Sequence, residues 1–158
     1  MHFENKATIP VSRDSLWTVL MDMEQVARCL PGVEDVNAVD PDNYLGILKM
    51  RVGPIGLKLE GKVSVTERNR DAWRAAMRAE GNERGVGGAV KATIAMQLNE
   101  LAPSETEMLV TTDAQVMGKM GEFGQPVMRK KADSMMQEFS RNVAQLASTG
   151  TGRPSTSG

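Results

Sequence analysis

The chain has 158 residues, of which 41% are hydrophobic and 25% charged, with a formal net charge of −1. This composition is typical of one folded globular domain, and the lack of a basic excess argues against nucleic acid as a partner. One cysteine, Cys29, and one histidine, His2, exclude a disulfide within the chain and leave too few ligands for a zinc site built from cysteine and histidine.

The N-terminus has no basic segment followed by an apolar one, and no apolar run approaches the roughly 18 residues that span a bilayer. We therefore predict a cytoplasmic protein. The chain holds 12 methionines, whereas aromatic residues are only 4% of it. Because methionine is flexible and polarizable, these side chains either fill a core that is short of aromatics or line a deformable cavity.

The first thirty residues predict one strand and two short helices. Residues 2–9 alternate in polarity, as in a strand that Pro10 ends. Ser12 precedes an apolar helical pattern and is expected to cap a first helix, and Asp22 to cap a second. Leu30-Pro31-Gly32 then ends helical structure. We expect this tripeptide to fix the corner between helix and sheet; a docking role for a partner is the alternative.

Residues 33–117 predict a series of antiparallel strands separated by turns. The expected strands are Val33 to Val39, Tyr44 to Val52, Ile55 to Thr66, Ala72 to Gly81, Val90 to Leu98 and Thr106 to Val116. The third has the clearest alternation, which indicates one buried and one solvated face. The glycine-rich stretch Gly81 to Gly88 predicts a mobile hairpin or bulge. It lacks the lysine and serine that end a phosphate-binding P-loop.

The C-terminal part predicts one long amphipathic helix. Gly118, Gly121 and Gly124 indicate a loop, and Pro126 suits a first helical turn. From there to about Ala147 the apolar residues recur at spacings of three and four. Residues 1–147 are therefore expected to form one domain. Residues 148–158 are polar and are interpreted as a disordered tail or a remnant of the expression vector.

Sequential antiparallel strands with one long helix indicate a two-layer α+β domain. The sheet is expected to have six to seven strands and to curve around the C-terminal helix, with the two short helices after the first strand. One helix cannot cover so wide a sheet. We therefore expect a cavity where the concave face of the sheet remains uncovered.

With these elements placed, the sequence resembles the carbon monoxide dehydrogenase G-subunit family, within the START-like, or polyketide cyclase-like, SRPBCC superfamily. The resemblance extends to about residue 147 and is most specific where two segments occur together in this order, Leu-Pro-Gly-Val-Glu at 30–34 and Val-Gly-Pro-Ile at 52–55. The other residues that carry it are Trp17, Leu20, Asp22, Cys29, Gly85 to Ala89, Gly118-Lys119-Met120, Gly124 and Phe139.

The resemblance implies a helix-grip fold, association with a molybdenum hydroxylase of the carbon monoxide dehydrogenase type, recruitment to the membrane, and a bound lipophilic molecule such as a quinone or lipid. Longer members carry a linker and an apolar C-terminal anchor, whereas this chain ends in the polar residues 148–158. Membrane contact is therefore expected to be peripheral at most, on the inner face.

Inward-facing strand positions and the apolar stripe of the helix nominate the residues that line the cavity. They are Leu48, Met50, Leu57, Leu59, Trp73, Met77, Ile94, Met96, Met108, Val110, Met128, Ala132, Met135 and Phe139. The competing interpretation is a solid core. Gly118, Lys119 and Met120 are candidates for the mouth, with Lys119 facing an anionic or carbonyl head group; for the glycines, a plain strand-to-helix reversal is the favoured interpretation.

Catalysis is not expected, because the inward positions offer almost no titratable group for acid–base chemistry. No metal or resident cofactor is predicted. The leading hypothesis is a non-enzymatic holder of a hydrophobic molecule beside a redox enzyme. The alternatives are an assembly or recruitment factor for that enzyme without a ligand, and a cyclase or hydrolase acting in the cavity, for which Tyr44 is the one available tyrosine.

Overall fold

The computed structural model describes residues 1–149, with the side chain of Thr149 left out of the description. Seven strands, three α-helices and one 3₁₀ helix follow one another in that part of the chain. In order they are β1 His2–Ile9, α1 Arg13–Leu20, α2 Met23–Cys29, β2 Val33–Asp40, β3 Asn43–Val52, β4 Ile55–Asn69, β5 Arg74–Glu83, β6 Gly88–Ala102, β7 Glu105–Met117, the 3₁₀ helix Gly118–Phe123 and α3 Gln125–Thr149.

The seven strands form one antiparallel sheet in the order β1-β7-β6-β5-β4-β3-β2. Each strand from β2 to β6 pairs with the next along the chain, and β1 completes the sheet beside β7. Register shifts in β2, in β4 after Val65 and in β6 after Glu100 mark irregular pairing, and such bulges let long strands bend. The predicted α+β helix-grip architecture is confirmed, and the sheet has seven strands, the larger of the two predicted numbers.

The two short helices begin where the sequence predicts. The Ser12 hydroxyl accepts a hydrogen bond from the Ser15 amide at 3.1 Å, and the Asp22 carboxylate accepts one from the Gln25 amide at 3.4 Å. After α2, Gly32 turns the chain into β2 with φ of 90°, and a Cβ there would lie 1.9 Å from the Lys49 carbonyl oxygen. This corner admits only glycine because both the backbone angle and the contact with β3 exclude a side chain.

The buried apolar residues form two separate cores. The larger joins α1, α2, β1, β6, β7 and the C-terminal half of α3, with Leu16, Leu98 and Val143 fully buried. The smaller lies at the other end of the sheet, where the 3₁₀ helix packs on the β3–β4 hairpin through Met120 and Leu57. The interior is therefore divided, and the middle of the concave face belongs to neither core.

Four predicted boundaries need correction. Ala72 and Trp73 lie in the β4–β5 turn rather than in β5, and Trp73 has a φ of 56°. The stretch after Gly81 keeps β5 paired as far as Glu83, so only residues 84–87 form the turn. Residues 118–123 form a 3₁₀ helix rather than a loop, and α3 extends through Ser148 to Thr149. The remaining residues of the predicted tail, 150–158, lie outside the described part.

Candidate functional site

Residues with little or no side chain lie in two adjacent rows across the middle of the concave face. In the first row, Gly46, Gly61 and Gly81 are direct partners on β3, β4 and β5. In the second row, alanines succeed one another on β5, β6 and β7 in the same direct pairing; they are Ala79, Ala92 and Ala114. Since directly opposed residues of an antiparallel pair share a face, the floor between the two cores lacks bulky side chains.

A side chain on Gly61 would meet few atoms close to its Cβ. A Cβ built on this residue would meet only two atoms within 4 Å, the Glu80 carbonyl oxygen at 3.5 Å and the Gly46 carbonyl oxygen at 3.7 Å. Both atoms belong to the neighbouring strands, so no atom of α3 reaches the floor at this point. A packed interior would place side chains in contact here.

Half-buried side chains surround this floor. On α3, Met128, Ala132 and Met135 are each half-buried, although the same helical stripe is fully buried further on at Val143. On the sheet, Met77 faces the same space and is also half-buried. None of these four residues packs against either core. These four positions are therefore the candidate border of a cleft between the floor and the N-terminal half of α3.

The structure divides the predicted cavity residues into three groups. Those in or against the larger core are Trp73, Ile94, Met96, Met108, Val110 and Phe139. Those in or against the smaller core are Leu48, Met50, Leu57 and Leu59. Those in neither core, along the cleft, are Met77, Met128, Ala132 and Met135.

At the end of the cleft next to the larger core, Trp73 is held rigidly. Its ring meets the Trp17 ring edge-on at a centroid distance of 5.9 Å. The guanidinium groups of Arg13 and Arg70 lie 4.2 Å and 4.0 Å from its centroid, and Arg70 also pairs with Asp14. Cation–π stacking of this kind stabilises a ring in one position, which offsets the strain of its positive φ.

At the opposite end, the three predicted mouth residues differ in position. Lys119 is exposed, whereas Met120 is fully buried in the smaller core, because the 3₁₀ turn directs it inward. Gly118 has a φ of 73°, and a Cβ on it would lie 2.7 Å from the Gly88 Cα. The favoured interpretation of this glycine as a structural reversal therefore fits its geometry.

Several polar groups near the interior are engaged with the protein itself, whereas the buried Nε of Arg13 has no hydrogen-bond partner among the residues described. The Glu83 carboxylate, 5% exposed, accepts hydrogen bonds from the Lys58 and Val86 amides, both at 2.7 Å. These bonds, the Lys58 amide first, hold the pKa of Glu83 below its ordinary value. The Asn5 amide donates to Asp133 on α3 at 3.0 Å, and the Tyr44 hydroxyl donates to the Pro41 carbonyl at 2.9 Å.

No nucleophile or metal centre is assembled from the residues described. Cys29 is buried, and burial raises the pKa of its thiol, which disfavours the reactive thiolate. Within residues 1–149, no three His, Cys, Asp or Glu side chains are placed to hold a metal ion.

Comparison with known protein families shows to which family this chain belongs. The family model for the G subunit of carbon monoxide dehydrogenase (CoxG) matches residues 6–148. The chain belongs to the CoxG family. The resemblance predicted from Leu30-Pro31-Gly32 and the other segments is thereby confirmed. Among curated proteins, none matches the chain.

Several solved structures share the fold of this CoxG-family chain at low sequence identity. A conserved protein from Geobacillus kaustophilus superposes with a TM-score of 0.85 at 18% identity, covering 94% of this chain and 95% of that one. A START superfamily protein from Mycobacterium smegmatis gives 0.68 at 10% identity, covering 93% and 97%. The Zhui aromatase/cyclase from a Streptomyces species gives 0.62 at 17% identity, covering 94% and 93%. These similarities establish a START-like fold.

Sequence reasoning missed the glycine and alanine rows as site residues. The sequence feature that could have indicated them is Gly61, a glycine at an inward-facing position of the alternating strand. The direct pairing of Gly61 with Gly46 and Gly81 depends on strand register, which the sequence does not display. As for membrane crossing, no helix within residues 1–149 is both long and apolar enough for it.

Proposed function

We propose that this CoxG-family chain binds one hydrophobic small molecule, quinone-like or lipid-like, in the cleft between the concave face and α3. The observation that carries the proposal is the open floor at Gly61, where a Cβ would have no α3 atom within 4 Å. Ligand pockets are concave and mostly apolar, as this cleft is. Affinity would come from apolar burial, about 25 cal/mol for each Å² removed from water before the costs of association.

The methionines on the cleft suit a ligand of irregular or variable shape. Met77, Met128 and Met135 border the open floor and pack against neither core. Their unbranched side chains adjust their rotamers to a partner at little cost. A flat ring resting on the glycine row beneath Met128 and Met135 would fill the cleft from both sides.

We further propose that the protein acts without catalysis, as an accessory to a molybdenum hydroxylase of the carbon monoxide dehydrogenase type. Membership of a family named for that enzyme supports this partner. The engagement of Glu83, Tyr44 and Asp133 in internal hydrogen bonds supports a binding role over a cyclase or hydrolase. Contact with the inner face of the membrane would be peripheral.

Replacement of Gly61 by valine tests the binding site directly. The added methyl groups would occupy the floor, so we expect at least a tenfold loss of affinity for a short-chain quinone or a medium-chain fatty acid. Thermal stability should be kept or raised, because valine favours a strand and would meet few atoms close to its Cβ. In a solid core the same change would overpack and cost about 1–3 kcal/mol. Tryptophan fluorescence titration and thermal unfolding measure both quantities.

Thr66→Val is the matched control, since Thr66 is exposed on β4. It should leave affinity unchanged. Failure of the wild-type protein to bind either probe at micromolar concentration would refute the proposal, as would equal affinity in Gly61→Val.

Co-purification of the partner enzyme distinguishes ligand binding from an assembly or recruitment role that needs no ligand. Met135→Lys places a charge in the cleft, where Met135 is half-buried, and should abolish uptake of the apolar molecule. If the hydroxylase still co-purifies with this variant in full amount, the interaction with the enzyme does not require the ligand.

A further inference from the structure

A second pocket lies at the end of the β3–β4 hairpin, apart from the cleft under α3. Its volume is about 380 Å³. The lining residues come from β3, β4 and the end of β5; they are Lys49, Met50, Arg51, Gly56, Leu57, Lys58 and Glu83. No residue of α3 takes part. The pocket exists because Gly56, opposite Arg51, has no side chain to fill the space between the flanking cations.

Three cations border this pocket. Lys49 and Lys58 are directly opposed on neighbouring strands, and Arg51 follows Lys49 by two residues on β3, so both side chains point to the same face. Like charges in directly opposed positions destabilise a sheet, so this pairing has a cost that a bound anion would remove. All three side chains are exposed, and by strand alternation they point away from the buried Leu57 and Leu59. They therefore lie on the convex face of the sheet.

Two carboxylates lie near the three cations, those of Glu34 and Glu83. Glu34 lies 3.4 Å from the Lys49 ammonium, and Arg51 donates to the Pro54 carbonyl of its own turn at 3.0 Å. Glu83 also lines the pocket, and it keeps its negative charge while its two carboxylate oxygens accept the Lys58 and Val86 amides. The two carboxylates leave one of the three positive charges unmatched. Lysine and arginine together are the usual ligands of phosphate oxygens.

The exposed tip of the same hairpin does not extend this site. Ile55 is 37% exposed, but strand alternation places it on the face of Leu57 and Leu59, away from the cations. The group recognised is therefore the phosphate itself, whether free or carried by a phospholipid head group.

We infer that this pocket binds a phosphate group through Lys49, Arg51 and Lys58. The inference does not depend on the proposed ligand of the cleft, because the three cations lie on the opposite face of the sheet.

Titration of the full chain with three probes tests the site. The probes are inorganic phosphate, monomeric short-chain phosphatidylglycerol, and vesicles of phosphatidylcholine with or without phosphatidylglycerol. Amide chemical shifts at Gly56 and Lys58 report the soluble probes, and co-sedimentation reports the vesicles. We expect Arg51→Gln/Lys58→Gln to lower affinity at least tenfold. Lys58→Gln alone, which leaves the Arg51–Pro54 hydrogen bond intact, should lower it several-fold.

Lys62→Gln/Arg78→Gln is the matched control, because it also removes two exposed cations and lies on β4 and β5 away from the hairpin. It should retain wild-type affinity within twofold. Binding of the lipid probes alone assigns the site to a phospholipid head group, and binding of inorganic phosphate with equal strength assigns it to the free anion. Absence of binding by every probe, or an equal loss in the control variant, would overturn the inference.

Discussion

Gly61 shows how a residue without a side chain creates a candidate site. Its two strand neighbours, Gly46 and Gly81, are also glycines in direct register. A glycine inside a strand weakens the strand, because it adds entropy to the unfolded chain and packs against nothing. Three of them in one row therefore lower the stability of the sheet. The absence of a side chain leaves room at Gly61, whereas at Gly81 the Leu59 side chain would lie 3.5 Å from a Cβ.

Glu83 is the residue whose charge matters most for the local structure. It is 5% exposed and joins the β5–β6 turn to β4 by accepting the Val86 and Lys58 amides. The sequence offered no signal for this role, since a glutamate beside Arg84 and Gly85 in a turn is ordinarily solvated. Only the register, which opposes Glu83 to Leu59, shows that it faces inward.

Acid is predicted to weaken the protein through Glu83. The pKa of this group in the folded state lies below its ordinary value of 4.5, so its stabilising effect is complete above that pH. The effect is lost as pH falls through the folded pKa. Glu83→Gln should therefore be less stable than the wild type at neutral pH, and the difference should shrink in acid. Urea unfolding at neutral and acidic pH measures it; a difference that is independent of pH would contradict this.

Among the elements, the 3₁₀ helix Gly118–Phe123 packs in the smaller of the two cores. It is fixed by Met120, which is fully buried in a core of four buried residues, whereas the larger core has twelve among the residues described. Local opening begins where apolar contacts are fewest. This end of the molecule is therefore expected to open before α1 and the β6–β7 ladder, and it adjoins the cleft.

Met120→Ala tests the role of the 3₁₀ helix. Removal of this buried side chain should lower the free energy of unfolding by about 2–4 kcal/mol and speed amide hydrogen exchange in residues 118–123. Met117→Ala, at a neighbouring position that is 39% exposed, should have little effect on either. Equal exchange rates in the 3₁₀ helix and in α1 of the wild-type protein would show that the two ends open together.

The sequence was most informative about elements. Ser12, Asp22, Pro31 and Gly32 predicted the starts and ends of the short helices, because capping and turn chemistry act locally. The 3₁₀ helix and the turn position of Trp73 were not predictable, since both depend on distant partners. Trp73 is placed by Trp17, Arg13 and Arg70, and three such contacts override the local preference for a strand.

For the whole molecule, the division into two cores is the central property. A single solid core would bury the stripe of α3 along its length. Instead Val143 is fully buried, whereas Met128, Ala132 and Met135 keep part of their surface accessible. The sequence predicted that a wide sheet under one helix leaves space. It also nominated Met77, Met128, Ala132 and Met135 among the lining residues. It did not reveal the glycine and alanine rows, because these follow from strand register.

Native mass spectrometry of the full chain, purified from a quinone-containing host, tests the proposed binding role most directly. We predict one apolar molecule bound to each wild-type chain, and none bound to Gly61→Val purified in the same way, with both proteins folded. A wild-type protein that carries no such molecule and takes up none at micromolar concentration, or a Gly61→Val variant that retains it, would contradict this role.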